Sequence, residues 1–147
     1  MLAIWPKRSV KAVKESTPVS GRYLLDTNIV IAWFAGEPEV RRNLALNADL
    51  FLPTIVVGEL YFGACASERQ DANLRRIDDL VEEAVVLSCD IHTARRYGAV
   101  KNDLREKGRP IPENDVWIAT IALQHGLTLV SRDRHFDEVR GLAREAW

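Results

Sequence analysis

The stretch YLLDTNIVIAWFAG, residues 23–36, decides the fold of this chain. Its first three residues predict a short buried strand that ends at Asp26. Residues 28–35 then predict a helix, which Gly36 and Pro38 would close. In open α/β sheets, ligands and catalytic groups gather at the C-terminal ends of the strands. Asp26 therefore lies where a catalytic or ligand-binding residue is expected, although an Asp at this position is also a good helix cap.

Short strands and helices continue to alternate along the rest of the chain. Helices are predicted over residues 39–47, 55–66, 72–83, 91–107 and 113–125, and strands over 50–52, 84–87 and 127–130, with a weak last strand near Leu142. Asp90 is placed to cap one helix, and Gly108 and Gly126 are placed to end two. This alternation predicts an α/β sandwich around a mostly parallel sheet.

The composition is typical of an ordinary globular domain. A length of 147 residues suits one domain, and fractions of 47% hydrophobic and 28% charged residues are unexceptional. The longest apolar run, residues 29–35, is too short to cross a bilayer, and the N-terminus lacks the apolar region of a secretory signal. We therefore expect a cytoplasmic protein in which Cys65 and Cys89 are small core residues.

The two parts of the chain carry opposite charge. Residues 1–22 have a balance of +4 and little periodicity, which predicts a flexible or non-native N-terminal tail. Residues 23–147, the predicted globular domain, carry −5. Such an acidic domain would not hold a nucleic acid by bulk positive charge. To act on a polyanion, it would need a bound divalent cation that reverses the sign of the charge locally.

Glu59 is the acidic residue whose position is most informative. It lies in the apolar segment IVVGELYFGA, residues 55–64, and shares a helix face with Ile55, Val56 and Phe62. A carboxylate on such a face is costly to bury unless a cation accompanies it. The sequence has no Lys or Arg between Arg42 and Arg69. A metal-linked carboxylate is therefore favoured over a long-range salt bridge.

Two further acids occupy comparable positions. Asp115 lies in the first turn of the helix predicted over residues 113–125, at the top of its core-facing stripe, although acids are common in first turns. Asp133 follows the strand predicted over residues 127–130, where a turn residue is the alternative. With Asp26 and Glu59, these acids are expected to converge on one edge of the sheet.

Four segments that contain these acids resemble the motifs of PIN domains, in the order and at the intervals of that family. They are residues 24–28 (LLDTN), Glu59-Leu60 with Gly63, Asn114-Asp115 with Ile118, Ala119 and Ala122, and residues 129–133 (LVSRD) with Phe136. They span residues 23–136, and the chain is most similar to VapC-type toxins of bacterial toxin–antitoxin pairs. The resemblance implies a PIN-like three-layer α/β/α sandwich over residues 23–147.

The resemblance also implies an acidic pocket for Mg²⁺ or Mn²⁺. Asp26 and Asp115 would be its most direct ligands, and Glu59 and Asp133 would complete the cluster, while Asn28 and Ser131 match polar positions that line such pockets. Oxygen ligands suit these hard cations, and the sequence has no His/Cys cluster at zinc spacing.

The implied activity is hydrolysis of RNA phosphodiesters by a metal-activated water. Glu59 or Asp133 would hold a second ion or act as the base, and the sequence does not separate these two roles. Arg132 and Arg134 flank the pocket and are candidate phosphate contacts, with a solvated loop as the alternative. The VapC resemblance further implies an antitoxin that occupies the acidic cleft, and a homodimer.

Two other classes of function were weighed against a nuclease. A phosphohydrolase of the haloacid-dehalogenase type also places Asp at the end of its first strand, but it would carry a second Asp where this chain has Asn28. A catalytically silent PIN-like module would only bind a partner. The four intact acidic positions favour the nuclease.

Overall fold

A five-stranded, wholly parallel sheet forms the centre of the molecule in a computed structural model that describes residues 21–46 and 49–147. The strands are β1 (Arg22–Leu25), β2 (Asp49–Pro53), β3 (Val85–Leu87), β4 (Thr128–Val130) and β5 (Arg144–Glu145). Their order across the sheet is β3-β2-β1-β4-β5. The prediction of an α/β fold around a mostly parallel sheet is thereby confirmed.

The order of the strands reverses next to β1. The chain moves outward from β1 to β2 and β3, and then returns to place β4 on the other side of β1. Right-handed crossovers in the two directions place helices on both faces of the sheet, which gives three layers. Leu25 is in register with Val130, and the backbone N–H of Asp26 donates to the carbonyl of Val130 at 3.0 Å. The crevice between the C-terminal ends of β1 and β4 is therefore the expected ligand position of such a sheet.

Six helices connect the strands in the described part of the chain. They are α1 (Thr27–Phe34), α2 (Pro38–Leu46), α3 (Thr54–Cys65), α4 (Gln70–Glu83), α5 (Ile91–Glu106) and α6 (Glu113–His125). Asp90 caps α5 as predicted, because its carboxylate accepts a hydrogen bond from the backbone of Thr93 at 2.9 Å. Gly126 ends α6 with φ at 62°, a left-handed conformation that favours glycine.

The core lies on both sides of β1 and β4, whose apolar residues are fully buried. Helix α6 is buried over most of its circumference, from Val116 to Ala122, so its first turn is held rigidly against the sheet. Phe136 is the largest fully buried side chain, and it anchors the chain just after β4. Close packing therefore fixes the first turn of α6 and the segment just after β4.

The structure differs from the sequence predictions in a few places. Most element boundaries differ by one or two residues, and α2 includes Pro38, which is well suited to a first helical turn. The weak last strand occurs at Arg144–Glu145, two residues beyond Leu142, and a short 3-10 helix at Arg134–Glu138 was not predicted. The predicted tail over residues 1–22 lies almost wholly outside the described residues.

The prediction that both cysteines are core residues is wrong. Cys65 and Cys89 are both exposed. Cys65 lies in the last turn of α3, where the neighbouring Ala64 faces the core instead, and Cys89 lies between β3 and α5. Within residues 21–46 and 49–147, no helix is both long enough and apolar enough to span a bilayer.

Candidate acidic metal site

Asp26 is buried at the C-terminal end of β1, with only 3% of its surface exposed. It is also the N-cap of α1, and its Oδ1 accepts a hydrogen bond from the backbone N–H of Thr27 at 2.8 Å. Its Oδ2 accepts one from the hydroxyl of Ser131 at 2.6 Å. Burial raises the pKa of Asp26 to about 6, and the negative charges of Asp115 and Asp133 act in the same direction. The same side chain therefore caps α1 and lies close to the acids Asp115 and Asp133.

Asn28 links the two strand ends through its side-chain amide. Its Nδ2 lies 3.3 Å from acceptor oxygens of Asp26, Ser131 and Asp133. Its Oδ1 accepts a hydrogen bond from the backbone N–H of Arg132 at 3.3 Å. The hydroxyl of Ser131 in turn accepts from the backbone of Asp133 at 3.1 Å. Asn28 and Ser131 therefore orient the carboxylates of Asp26 and Asp133.

Glu59 reaches the same crevice from α3. Its carboxylate accepts hydrogen bonds from the hydroxyl of Thr27 and, at 3.0 Å, from Nδ2 of Asn114. The expected apolar surroundings are only partly present, because Val56 is buried whereas Phe62 is 77% exposed. Glu59 is thus held by neutral donors, and within the described part of the chain it forms no salt bridge with a cation.

Asp115 enters the crevice from the first turn of α6. Its Oδ2 lies 2.8 Å from Nε2 of His135, a contact that sequence reasoning did not anticipate. Burial raises the pKa of Asp115, and the charges of Glu59 and Asp133 add to this effect, while His135 lowers the pKa. Asp115 therefore experiences the fields of the other acids as well as that of the imidazole.

The four predicted acids thus meet at one crevice, from β1, α3, α6 and the loop after β4. Among the described residues, one potential ligand atom from each of Asp115, Asp133 and His135 lies within 4.8 Å of the other two, and Asp26 and Glu59 are not part of this group. A hard divalent cation prefers carboxylate oxygens of this kind and would relieve their mutual repulsion. The donor set therefore fits a divalent cation.

The two flanking arginines have different surroundings. Arg132 forms an ion pair with Glu37 at 2.5 Å, and its Nε donates to the carbonyl of Trp147 at 2.8 Å. This pairing ties the loop after β4 to neighbouring segments. Arg134 is exposed at the start of the 3-10 helix. The pKa of Asp137 is lowered chiefly by a hydrogen bond from Arg144, and the charge of Arg134 adds to this effect.

Three residues of the site were missed by sequence reasoning as direct contacts of the acids. Thr27 and Asn114 each lie next to a predicted acid and bind Glu59. His135 lies two residues after Asp133, and a 3-10 turn brings its ring back to Asp115. Proximity in sequence to Asp26, Asp115 and Asp133 was the only available signal for them.

A groove of about 290 Å³ opens beside Glu59, between α1, α3 and α4. Its walls are mainly apolar, and one of the lining side chains, Ile31, is 56% exposed. Arg76 lines the groove and lies over the ring of Phe34, with its guanidinium carbon 4.3 Å from the ring centroid. The remaining lining residues are Leu60, Gly63, Ala64, Asn73 and Ile77.

Comparison with protein families and curated proteins shows which family the chain belongs to. The PIN domain model matches residues 23–142. The chain is 37% identical to ribonuclease VapC2 from Haemophilus influenzae, over 86% of this chain and 98% of that protein. It is 33% identical to the tRNA(fMet)-specific endonuclease VapC of Shigella flexneri, over 86% of this chain and 98% of that protein.

Solved structures give the same assignment. The DNA-bound VapBC complex from Salmonella typhimurium contains a chain that is 30% identical, with a TM-score of 0.81 over 86% of this chain and 98% of that one. VapBC2 from Rickettsia felis, bound to a promoter DNA fragment, matches at 28% identity with a TM-score of 0.79 over 85% and 98%. The haloacid-dehalogenase alternative is therefore wrong. The chain belongs to the PIN-domain family and, within it, to the VapC ribonucleases.

Proposed function

We propose that this chain is an endoribonuclease that depends on Mg²⁺ or Mn²⁺ and acts as the toxin of a toxin–antitoxin pair. The observation that carries the metal dependence is the convergence of Asp26, Glu59, Asp115 and Asp133 on one crevice. Among the described residues, no lysine or arginine forms an ion pair with any of these four acids. These acids lie close together and the pKa of Asp26 is raised, so a cation bound from solution would stabilise their ionised forms.

We assign different roles in phosphodiester hydrolysis to the side chains of the site. A bound divalent cation would supply charge neutralisation at the phosphate and activation of the attacking water. Asp26, Asp115 and Asp133 would hold the cation, and Asn28 and Ser131 keep two of these carboxylates oriented. We assign to Glu59, whose carboxylate is held by Thr27 and Asn114, the role of the base that would accept a proton from the attacking water.

RNA would approach through the exposed side of this crevice. We assign phosphate contact to Arg134 rather than to Arg132, because Arg132 is already paired with Glu37. One relative is named a tRNA(fMet)-specific endonuclease, so tRNA is the first substrate class to assay. We place this activity in the cytoplasm, where tRNA is found.

The test is RNA cleavage by the purified chain, freed of any bound antitoxin. Cleavage is expected with Mg²⁺ or Mn²⁺, is expected to stop with EDTA, and is expected to fall at least about a hundredfold in Asp26→Asn. Asp49→Asn is the matched control, because Asp49 is exposed at the N-terminal start of β2, at the opposite end of the sheet. Undiminished cleavage by Asp26→Asn would refute the mechanism, and a wild-type chain without activity would support the silent binding module.

We propose that the antitoxin lies in the groove beside Glu59. Relatives of this chain are crystallised as VapBC complexes, which supports a protein partner here. The groove has exposed apolar walls and ends at the acidic crevice. An amphipathic segment of the partner could bury its apolar side chains there and place a basic side chain against the acids.

Ile31→Glu tests the groove, because Ile31 is a lining residue that is too exposed to be needed for the core. We expect this variant to cleave RNA normally but to escape inhibition by the cognate antitoxin. Ile91→Glu is the control, since Ile91 is the same residue type and is 74% exposed but lies on α5, outside the lining of the groove. Full inhibition of Ile31→Glu would place the partner elsewhere.

We also propose that the chain forms a homodimer. Size-exclusion chromatography with light scattering would test this by measuring the molar mass of the protein in solution.

A further inference from the structure

His135 occupies a special position relative to the acids. Its Nε2 atom is shielded from solvent and, among the residues that the structure describes, has no well-aligned hydrogen-bond partner, although Oδ2 of Asp115 lies only 2.8 Å away. The ring packs against Phe136, with the two centroids 4.7 Å apart, and Phe136 is fully buried. The direction of the imidazole is therefore fixed by the core rather than by a hydrogen bond to Asp115.

The spacing of the ligand atoms suits one cation. Two donors that each lie about 2.1 Å from an ion, at a right angle, are about 3 Å apart. Nε2 of His135 and Oδ2 of Asp115 have this separation. One potential ligand atom from each of Asp115, Asp133 and His135 lies within 4.8 Å of the other two. The short distance without hydrogen-bond alignment fits two donors aimed at a common point between them.

We propose that His135 is a nitrogen ligand of the cation, beside Asp115 and Asp133, and that it makes the site prefer Mn²⁺ to Mg²⁺. This inference rests on the proposed metal-dependent function. Mg²⁺ is a hard ion that binds almost wholly through oxygen and keeps its waters. First-row transition ions accept imidazole more readily, so a nitrogen donor raises their affinity relative to that of Mg²⁺.

The experiment is pulsed electron paramagnetic resonance of Mn²⁺ bound to the full chain, purified without a histidine tag. We expect ¹⁴N modulation from a directly coordinated imidazole in the wild type. The modulation should vanish in His135→Ala and persist in His92→Ala, because His92 is exposed on α5. A wild-type spectrum without imidazole coupling, or coupling that survives in His135→Ala, would overturn the inference.

Titration calorimetry gives the second measurement. The ratio of Mn²⁺ to Mg²⁺ affinity should fall by roughly tenfold in His135→Gln, which offers an amide oxygen in place of the ring nitrogen. An unchanged ratio in this variant would contradict the proposed selectivity. If the wild type binds Mn²⁺ and cleaves RNA without nitrogen coupling, the inference about His135 fails and the proposed function stands. If it binds no Mn²⁺ and cleaves RNA in EDTA, the proposed function itself fails.

Discussion

Asp26 both caps α1 and belongs to the acidic crevice. Burial raises its pKa from 3.8 to about 6. A carboxyl whose pKa is higher in the folded than in the unfolded chain stabilises the fold while it is protonated. That contribution is complete below about pH 3.8 and is lost as the pH rises through about 6. At neutral pH, the ionised Asp26 therefore reduces stability unless a cation compensates its charge.

Asp26→Asn removes this ionisation, so its effect on stability should depend on pH. In EDTA, we expect the free energy of unfolding of the variant, relative to wild type, to rise by about 2 kcal/mol between pH 4.5 and pH 7.5. Urea denaturation at the two pH values measures this change. The control Asp49→Asn should show no comparable trend, and a difference for Asp26→Asn that is the same at both pH values would contradict the account.

At the scale of the elements, periodicity and caps predicted most helices and strands because their signals are local. Asp90 at the start of α5 and Gly126 at the end of α6 are such signals. The two-residue β5 and the 3-10 helix at Arg134–Glu138 are too short to carry a period. The exposure of Phe62 was also not predictable, because it depends on how α3 packs in the folded chain rather than on the sequence of α3.

Two glycines make a matched pair for testing the description of the helix ends. Gly126 has φ at 62°, and a Cβ there would meet no atom within 4 Å, so Gly126→Ala would carry only backbone strain. We expect it to lower the free energy of unfolding by about 1 kcal/mol. Gly98 lies inside α5, also with open space around it, and Gly98→Ala should stabilise by about 0.5–1 kcal/mol. Thermal or urea unfolding of both variants checks the signs, and destabilisation by Gly98→Ala would count against α5 as described.

At the scale of the whole molecule, the reversal of strand order beside β1 explains why distant acids meet. Asp26 and Asp133 follow neighbouring parallel strands, which made their convergence predictable from the sequence. Glu59 and Asp115 arrive on two helices, and the family motifs related them to the crevice. The contact between His135 and Asp115 was not predictable, because it depends on one turn of 3-10 helix and the burial of Phe136.

The negative charge of the whole domain bears on how it could bind RNA. The residues from 23 onward carry −5, yet the proposed substrate is a polyanion. A divalent cation in the crevice would neutralise the acids and present positive charge to a phosphate group. In the proposed mechanism, the cation would therefore serve both the approach of RNA and its hydrolysis.

The most direct test of this account is the rate of RNA cleavage by the wild-type chain as a function of free Mn²⁺ concentration. We expect no cleavage in EDTA and a rate that rises with Mn²⁺ and saturates, with its midpoint at the dissociation constant measured by calorimetry on the same protein. A cleavage rate that does not change between EDTA and saturating Mn²⁺ would contradict the central claim that the acidic crevice works through a bound cation.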